Sequence, residues 1–262
     1  MKKTLIALAV AASAAVSGSA MAADWVQNGT GGSVDMGGTL TPADVITPWE
    51  VKTGDAVTNL DGHIKKGQRT VNITVNKAIP VLGIRTQTNQ PFAGREGISP
   101  QVNFNSAIDP SQFQEGKTTL TLDVKDNSSK KIGSLTTKVT AGALFSWKND
   151  DTGRGNYFSL ASINQPGEVF YGGLSTNYDG ALDVDQVKNI APVIFPGSMD
   201  NFTEQGTESI GKYFSRIDDA KYSAFYASGI EQGSKINITL DQPAGTDAIA
   251  WKASLPVTVS YQ

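Results

Sequence analysis

"TTLTLDVKDNSSKKIGSLTTKV", residues 118–139, decides how this chain is built. In "TTLTLDV" (118–124), Leu120, Leu122 and Val124 alternate with Thr119, Thr121 and Asp123. A second alternating run, "SLTTKV" (134–139), follows after "KDNSSKKIG" (125–133). A period of two places one set of side chains on a buried face and the other in solvent, the signature of a strand. Two such runs joined by a short polar stretch predict a β-hairpin.

The same rhythm continues outward in both directions. "TVNITV" (70–75), "IPVLGIR" (79–85) and "QVNFN" (101–105) precede the hairpin, and "SAFYASG" (223–229), "KINITLD" (235–241) and "LPVTVSY" (255–261) come later. Short strands separated by Gly, Asn and Pro point to an antiparallel sandwich or barrel. Residues 143–218 break the pattern. "DVDQVKNIAPV" (183–193) predicts a short helix that stops before Pro192. In "TEQGTESIGKYFSRI" (203–217), Ile210, Phe214 and Ile217 have helical spacing, weakened by Gly206 and Gly211. The section reads as a small α/β insert carried on an all-β sandwich, and no internal repeat is visible.

The first 22 residues have the form of a secretory leader. Lys2 and Lys3 precede an Ala-rich apolar centre, and Ala20-Met21-Ala22 offers an A-x-A cleavage site. Dilution with Ala and Ser favours a cleaved signal over a retained anchor. Removing 22 of 262 residues leaves 240, enough for one large sandwich with an insert. The formal charge then moves from −3 to −5, because the leader carries two lysines and no acid. A mildly acidic chain without a Lys/Arg block argues against a nucleic-acid partner. Cysteine is absent and His63 is the single histidine, which removes most metal and nucleophile chemistry.

Several patterns imitate catalytic motifs. "GTESIGKY" (206–213) approaches a phosphate-binding loop, but Tyr213 stands where a Ser or Thr would hold magnesium. "KNDDTG" (148–153) lacks the alternating acids of a calcium loop and reads as an Asn/Asp turn. His63, in Asp61-Gly62-His63, reads as a surface turn residue. No pair of carboxylates is singled out for glycoside hydrolysis. The expectation is therefore no catalytic residue, no metal and no cofactor.

Aromatics are unevenly placed: 14 of the 21 Phe, Trp and Tyr lie between 145 and 226. Most are needed to pack the insert onto the sandwich. Trp147, Tyr157 and Phe158, set among polar residues, are the candidates for exposure and for stacking on sugar rings. Asn149, Asp150, Ser162, Asn164 and Glu168 are the short polar side chains that would take sugar hydroxyls. Phe170 and Tyr171 before Gly172-Gly173 read as core and turn.

The two ends also alternate. "LPVTVSYQ" sets Leu255, Val257, Val259 and Tyr261 on one face, as a last sandwich strand would. Near the beginning, "GGSVDMGGTL" (31–40) sets Val34, Met36, Gly38 and Leu40 on one face. Pattern alone leaves open whether this glycine-dotted run is an ordinary first strand or a strand for another chain.

Over its whole length the chain resembles the FaeG-type major subunits of enterobacterial adhesive fimbriae, which are assembled by the chaperone/usher pathway. The resemblance is carried by the leader, by "GSVDMGGTLT" (32–41), "FSL" (158–160), "FYGGL" (170–174), "SAFYASGIEQG" (223–233) and "WKASLPVTVSYQ" (251–262). It implies an immunoglobulin-like sandwich that lacks its final strand, with residues 23–42 as an extension and 43–262 as the sandwich, insert included. Val34, Met36, Gly38 and Leu40 would then form a donor strand for a neighbouring subunit. The strand bearing Leu255, Val257, Val259 and Tyr261 would be zippered by a periplasmic chaperone before delivery to an outer-membrane usher. The resemblance further implies a surface fimbrium of identical or related subunits that is also the adhesin, binding galactose-type host glycans on the insert. Lactose-binding members place a bulky aromatic after F-S-L and a basic residue in the next turn. Here Ala161 and "SINQPGE" (162–168) supply neither, so the location carries over and not the residues. Two rivals compete with this reading. One is an exported carbohydrate-binding module or glycoside hydrolase; the other is an outer-membrane barrel, which lacks the regular ten-residue alternation it would need.

Overall fold

The hairpin read from residues 118–139 is the centre of the fold. The computed structural model describes residues 27–28, 36–39, 46–162, 165–213 and 220–262. The chain divides into two units, Met1–Asp44 and Val45–Gln262. The leader and most of the proposed extension lie outside the described residues.

In the second unit β6 (Lys117–Lys125) turns back into β7 (Lys131–Lys148). Asp126 builds the turn by accepting from the Ser128 amide and hydroxyl and from the Lys130 amide. β7 is 18 residues long, roughly 60 Å at strand rise. Along one edge it pairs first with β6 and then with β8 (Gly155–Leu160). Along the other it pairs with β11 (Lys235–Leu240) and then with β10 (Lys221–Ile230). Beyond β10 come β3 (Ile79–Thr86) and β1 (Trp49–Thr53), and beyond β11 comes β2 (Thr70–Thr74). The two-residue β4 (Phe92–Ala93) adds to β10. A second, two-stranded sheet joins β5 (Pro100–Asn103) to β12 (Thr258–Tyr261). The fold is predominantly β and consistent with the sandwich read from the sequence. β1, W-E-V-K-T, is too short an alternation to stand out in the sequence, and its pairing with β3 is set by the tertiary structure.

Two halves of β7 have different patterns for a physical reason. Leu135, Thr137 and Val139 are buried while Lys138 is exposed, as in a sheet with one solvated face. Ala141–Ser146 are buried without a break, because both faces are covered. Phe145 packs into the main core; Leu144, on the other face, packs into a second cluster with Phe225, Val187 and Ile194. That second cluster is the docking site of α1 (Val184–Ile194). β10 behaves likewise, with Tyr226 facing one core and Phe225 the other.

The helix is set by its start. Asp183 accepts from the Gln186 amide and the Gln186 side chain accepts from the Asp183 amide, a reciprocal cap. It runs through Pro192 to Ile194, one turn further than the sequence predicts. Proline near the end forfeits only one backbone bond, and buried Ile194 and Phe195 hold the turn in place. Phe195 lies over Gly83, where a Cβ would sit 2.5 Å from its ring. Arg85 fixes the following loop, donating to the Gly197 carbonyl at 2.8 Å while paired with Glu50 at 2.8 Å.

Helical spacing in 203–217 is overturned. Thr207–Tyr213 is β9, running parallel to β8. The edge of β8 offers unpaired backbone groups, and pairing with it outweighs a weak periodicity. Gly206 has φ +79 and lies against the Gly155 carbonyl, a close approach that a side chain would block. Phe214 and Ile217 lie outside the described residues.

Candidate functional site

One face of the sandwich carries an open groove with an apolar floor and a volume of about 1280 Å³. Its floor is the main core: Leu120, Leu135, Ile236 and Ile238 are each at most 5% exposed. Further lining comes from the chain after β1, which has no regular structure from Gly54 to Lys65, from Val71 of β2 and Ile79–Val81 of β3, and from the segment before β12. Leu60, Ile64, Val71, Val81 and Trp251 are only partly buried there. In a sandwich closed on all sides such residues would be covered, so the groove presents exposed apolar surface.

The C-terminal segment has the predicted alternation in full. Trp251, Ala253, Leu255, Val257, Val259 and Tyr261 are half-buried against the core, and Lys252, Ser254, Pro256, Thr258, Ser260 and Gln262 are exposed. β12 pairs with β5, and the pairing extends to Ser99 and Gln262 through two further backbone bonds. Residues 253–257 belong to no strand, although their side chains keep strand periodicity. Groove-wall positions such as Leu60 and Ile64 were not singled out from the sequence. "NLDGHI" reads as a polar turn, and only two isolated apolar residues hint otherwise.

Of the N-terminal run, Met36 is 93% exposed and nothing lies within 4 Å of a Cβ built at Gly38. Val34 and Leu40 lie outside the described residues.

The sugar-site candidates separate into two groups. Expected exposure of Tyr157 and Phe158 is not found; they are 9% and 7% exposed. Successive strand residues face opposite sheet surfaces, so Phe158 stacks against Phe145 in the main core and Tyr157 points into the helix cluster. The Tyr157 hydroxyl donates to Glu208 at 2.8 Å, and Lys188 sits 4.8 Å over its ring. Lys188 is also paired with Glu204 at 2.7 Å. The Glu208 hydrogen bond, with burial, holds the phenol above its ordinary range. Ser162 and Glu168 are buried as well, and Asn164 lies outside the described residues. Trp147, Asn149 and Asp150 remain together at the β7–β8 turn. Asn149 Oδ1 accepts from the Thr152 amide and hydroxyl, Asp150 is exposed and paired with Lys221 at 2.6 Å, and Trp147 is half-buried. Phe170 is fully buried at φ +60, and Tyr171 follows it in the turn.

The family described as fimbrial, major and minor subunit, matches residues 1–262. The chain belongs to it. Among relatives from Escherichia coli, K88 fimbrial protein AB is 32% identical and K88 fimbrial protein AD 31%, each covered in full as this chain is. The F41 fimbrial protein of the same organism is 26% identical over the full length of both. The FaeG-type resemblance is thus confirmed at family level. A fimbrial subunit is a structural protein and not an enzyme, which sets aside the hydrolase rival. Fimbriae are surface fibres, so this subunit associates with related subunits. No helix among the described residues is long and apolar enough to cross a membrane.

Proposed function

We propose that this fimbrial subunit polymerises by donor-strand exchange. The observation that carries the reading is the open apolar groove beside a C-terminal segment whose apolar residues alternate and whose residues 253–257 lack strand partners. The donor is Val34–Leu40 of a neighbouring subunit, seven residues like Leu255–Tyr261. Val34, Met36 and Leu40 enter the groove and Gly38 marks its narrowest point. Burying three such side chains contributes roughly 1.5 to 3 kcal/mol each, besides the backbone ladder. In this reading residues 1–22 are a cleaved leader, 23–42 the extension, and 43–262 the sandwich with its insert. A periplasmic chaperone covers the groove until an outer-membrane usher delivers the subunit to the fibre.

Joining a copy of residues 31–42 behind Gln262 through a short linker tests the mechanism. A soluble, self-complemented monomer is expected; a protein that aggregates as readily as the unextended chain would sink the idea.

Adhesion to host galactose-type glycans is the second part of the proposal. Burial of Tyr157, Phe158, Ser162 and Glu168 moves the stacking role to the β7–β8 turn, with Trp147 as the platform and Asp150 beside it. Trp147→Ala should lower binding of assembled fimbriae to galactose-terminated glycans while leaving assembly intact. Unchanged binding would place adhesion elsewhere on the molecule.

A further inference from the structure

A single exposed apolar side chain is ordinary on a protein surface. Here the exposed ones are not scattered. Among the described residues seven large apolar side chains are exposed, and four of them lie on the two parties to the donor-strand joint. Met36 and Ile46 belong to the N-terminal stretch, and Val57 and Ile249 line the groove. Met36 already has a role as a donor residue. Ile46 has none: it lies six positions beyond Leu40 and is 80% exposed. Its backbone is nonetheless tied to the sandwich, because the Arg95 guanidinium donates to the Ile46 carbonyl. Two residues on, the Pro48 carbonyl accepts from the Gln87 amide at 2.9 Å. The fold therefore holds an apolar side chain out into water on an anchored piece of backbone.

Strand register decides where that side chain lands on a neighbour. The donor run Val34–Leu40 and the C-terminal run Leu255–Tyr261 have the same length and the same alternation. Antiparallel pairing is the more stable arrangement of two strands. With Leu40 opposite Leu255, Val34 falls opposite Tyr261, Met36 opposite Val259 and Gly38 opposite Val257. Opposed residues point to the same side of a sheet, so all of these side chains turn toward the core together. Carried six residues further, the same register sets Ile46 opposite Ile249. Six extended residues span about 20 Å on either chain, so both isoleucines reach the same place.

We propose that Ile46 packs against Ile249 on the groove rim of a second copy of this chain. It is a second anchor of the joint, outside the donor strand itself, and it fixes the angle between successive subunits. The proposal rests on the donor-strand reading above. Without this contact the two bodies would swing on the chain between them, and both isoleucines would stay in water.

The chain has no cysteine, so a disulfide reads the contact directly. Opposed residues in an antiparallel pair have Cα atoms about 4.5 to 5.5 Å apart, within disulfide range. Fimbriae of the Ile46→Cys, Ile249→Cys double variant, sheared from cells and mildly oxidised, are denatured without reductant. They should run as a ladder of two, three and more linked subunits that reductant collapses, and neither single variant should give a ladder. Ile46→Ser should speed the loss of subunits from fibres in denaturant about tenfold. Adding Ile249→Ser should change that rate little further, because the same contact is lost only once. Assembled double-cysteine fibres without a ladder, an unchanged rate for Ile46→Ser, or additive effects of the two serines would overturn the proposal. Met36→Asp separates it from the reading beneath it. If that change stops polymerisation while the cysteine pair gives no ladder, the Ile46 contact alone fails; if fibres form despite it, donor-strand exchange fails and this contact with it.

Discussion

The Tyr157 hydroxyl donates to Glu208 at 2.8 Å and thereby ties β8 to the parallel strand β9. Lys188 of α1 completes the cluster from above the ring. An aromatic that looks available for ligand stacking is in fact the bolt of the insert. Tyr157→Phe should therefore lower stability by about 1 kcal/mol, and Tyr157→Ala by about 3 to 5 kcal/mol. Denaturant unfolding measures both; a Tyr157→Ala protein of parental stability would contradict the packing described here.

The donor-strand proposal predicts a parity effect. Met36→Asp and Leu40→Asp should abolish polymerisation, because a charge would enter an apolar groove unpaired. Asp35→Asn, on the opposite face of the same strand, should leave it intact. Fibre yield sheared from cells reads the difference, and equal loss at all three positions would argue against a strand with one buried face.

Glu231 makes a pH-dependent contribution. Burial pushes its carboxyl upward, but the Thr140 hydroxyl at 2.5 Å and Lys117 at 3.0 Å outweigh burial and hold it below the usual range. A lowered carboxyl in the folded state stabilises above the ordinary glutamate range and loses that contribution as pH falls through the folded value. Glu231→Gln should cost about 1 kcal/mol at neutral pH, and its difference from the parent should shrink below about pH 4. A difference independent of pH would show that the charge is irrelevant.

Gly83→Ala should loosen the insert. Its new Cβ would meet the buried Phe195 ring at 2.5 Å, so helix and sheet must move apart at about 1 to 3 kcal/mol. Hydrogen exchange should show faster opening across α1, whereas β6 and the first half of β7 keep their protection. Uniform acceleration across the sandwich would mean that the insert is not a separable layer.

Local patterns reveal strands wherever one sheet face meets solvent. Leu120, Leu122, Val124 and the alternating Leu255–Tyr261 are legible because water on the other face selects Thr, Ser and Lys between them. The cap at Asp183 is legible for a similar reason, since a helix start leaves backbone donors that short acidic side chains satisfy. Periodicity fades where both faces are buried, as in Ala141–Ser146, because no position there is selected for water. It misleads at 207–213, where the open edge of β8 makes a strand of residues with helical spacing.

The sequence by itself determined an all-β chain interrupted by a short helix after Asp183, with alternating apolar residues near both ends. It left 203–217 with a weak helical spacing that the structure replaces with a strand. Only the tertiary structure decided which aromatics are exposed, because the face that Tyr157 or Phe158 presents depends on what covers each side of β8. It likewise decided that an apolar groove stays open beside residues 253–257. An unfilled space arises from strands that are far apart in the chain, and no local run of residues encodes it.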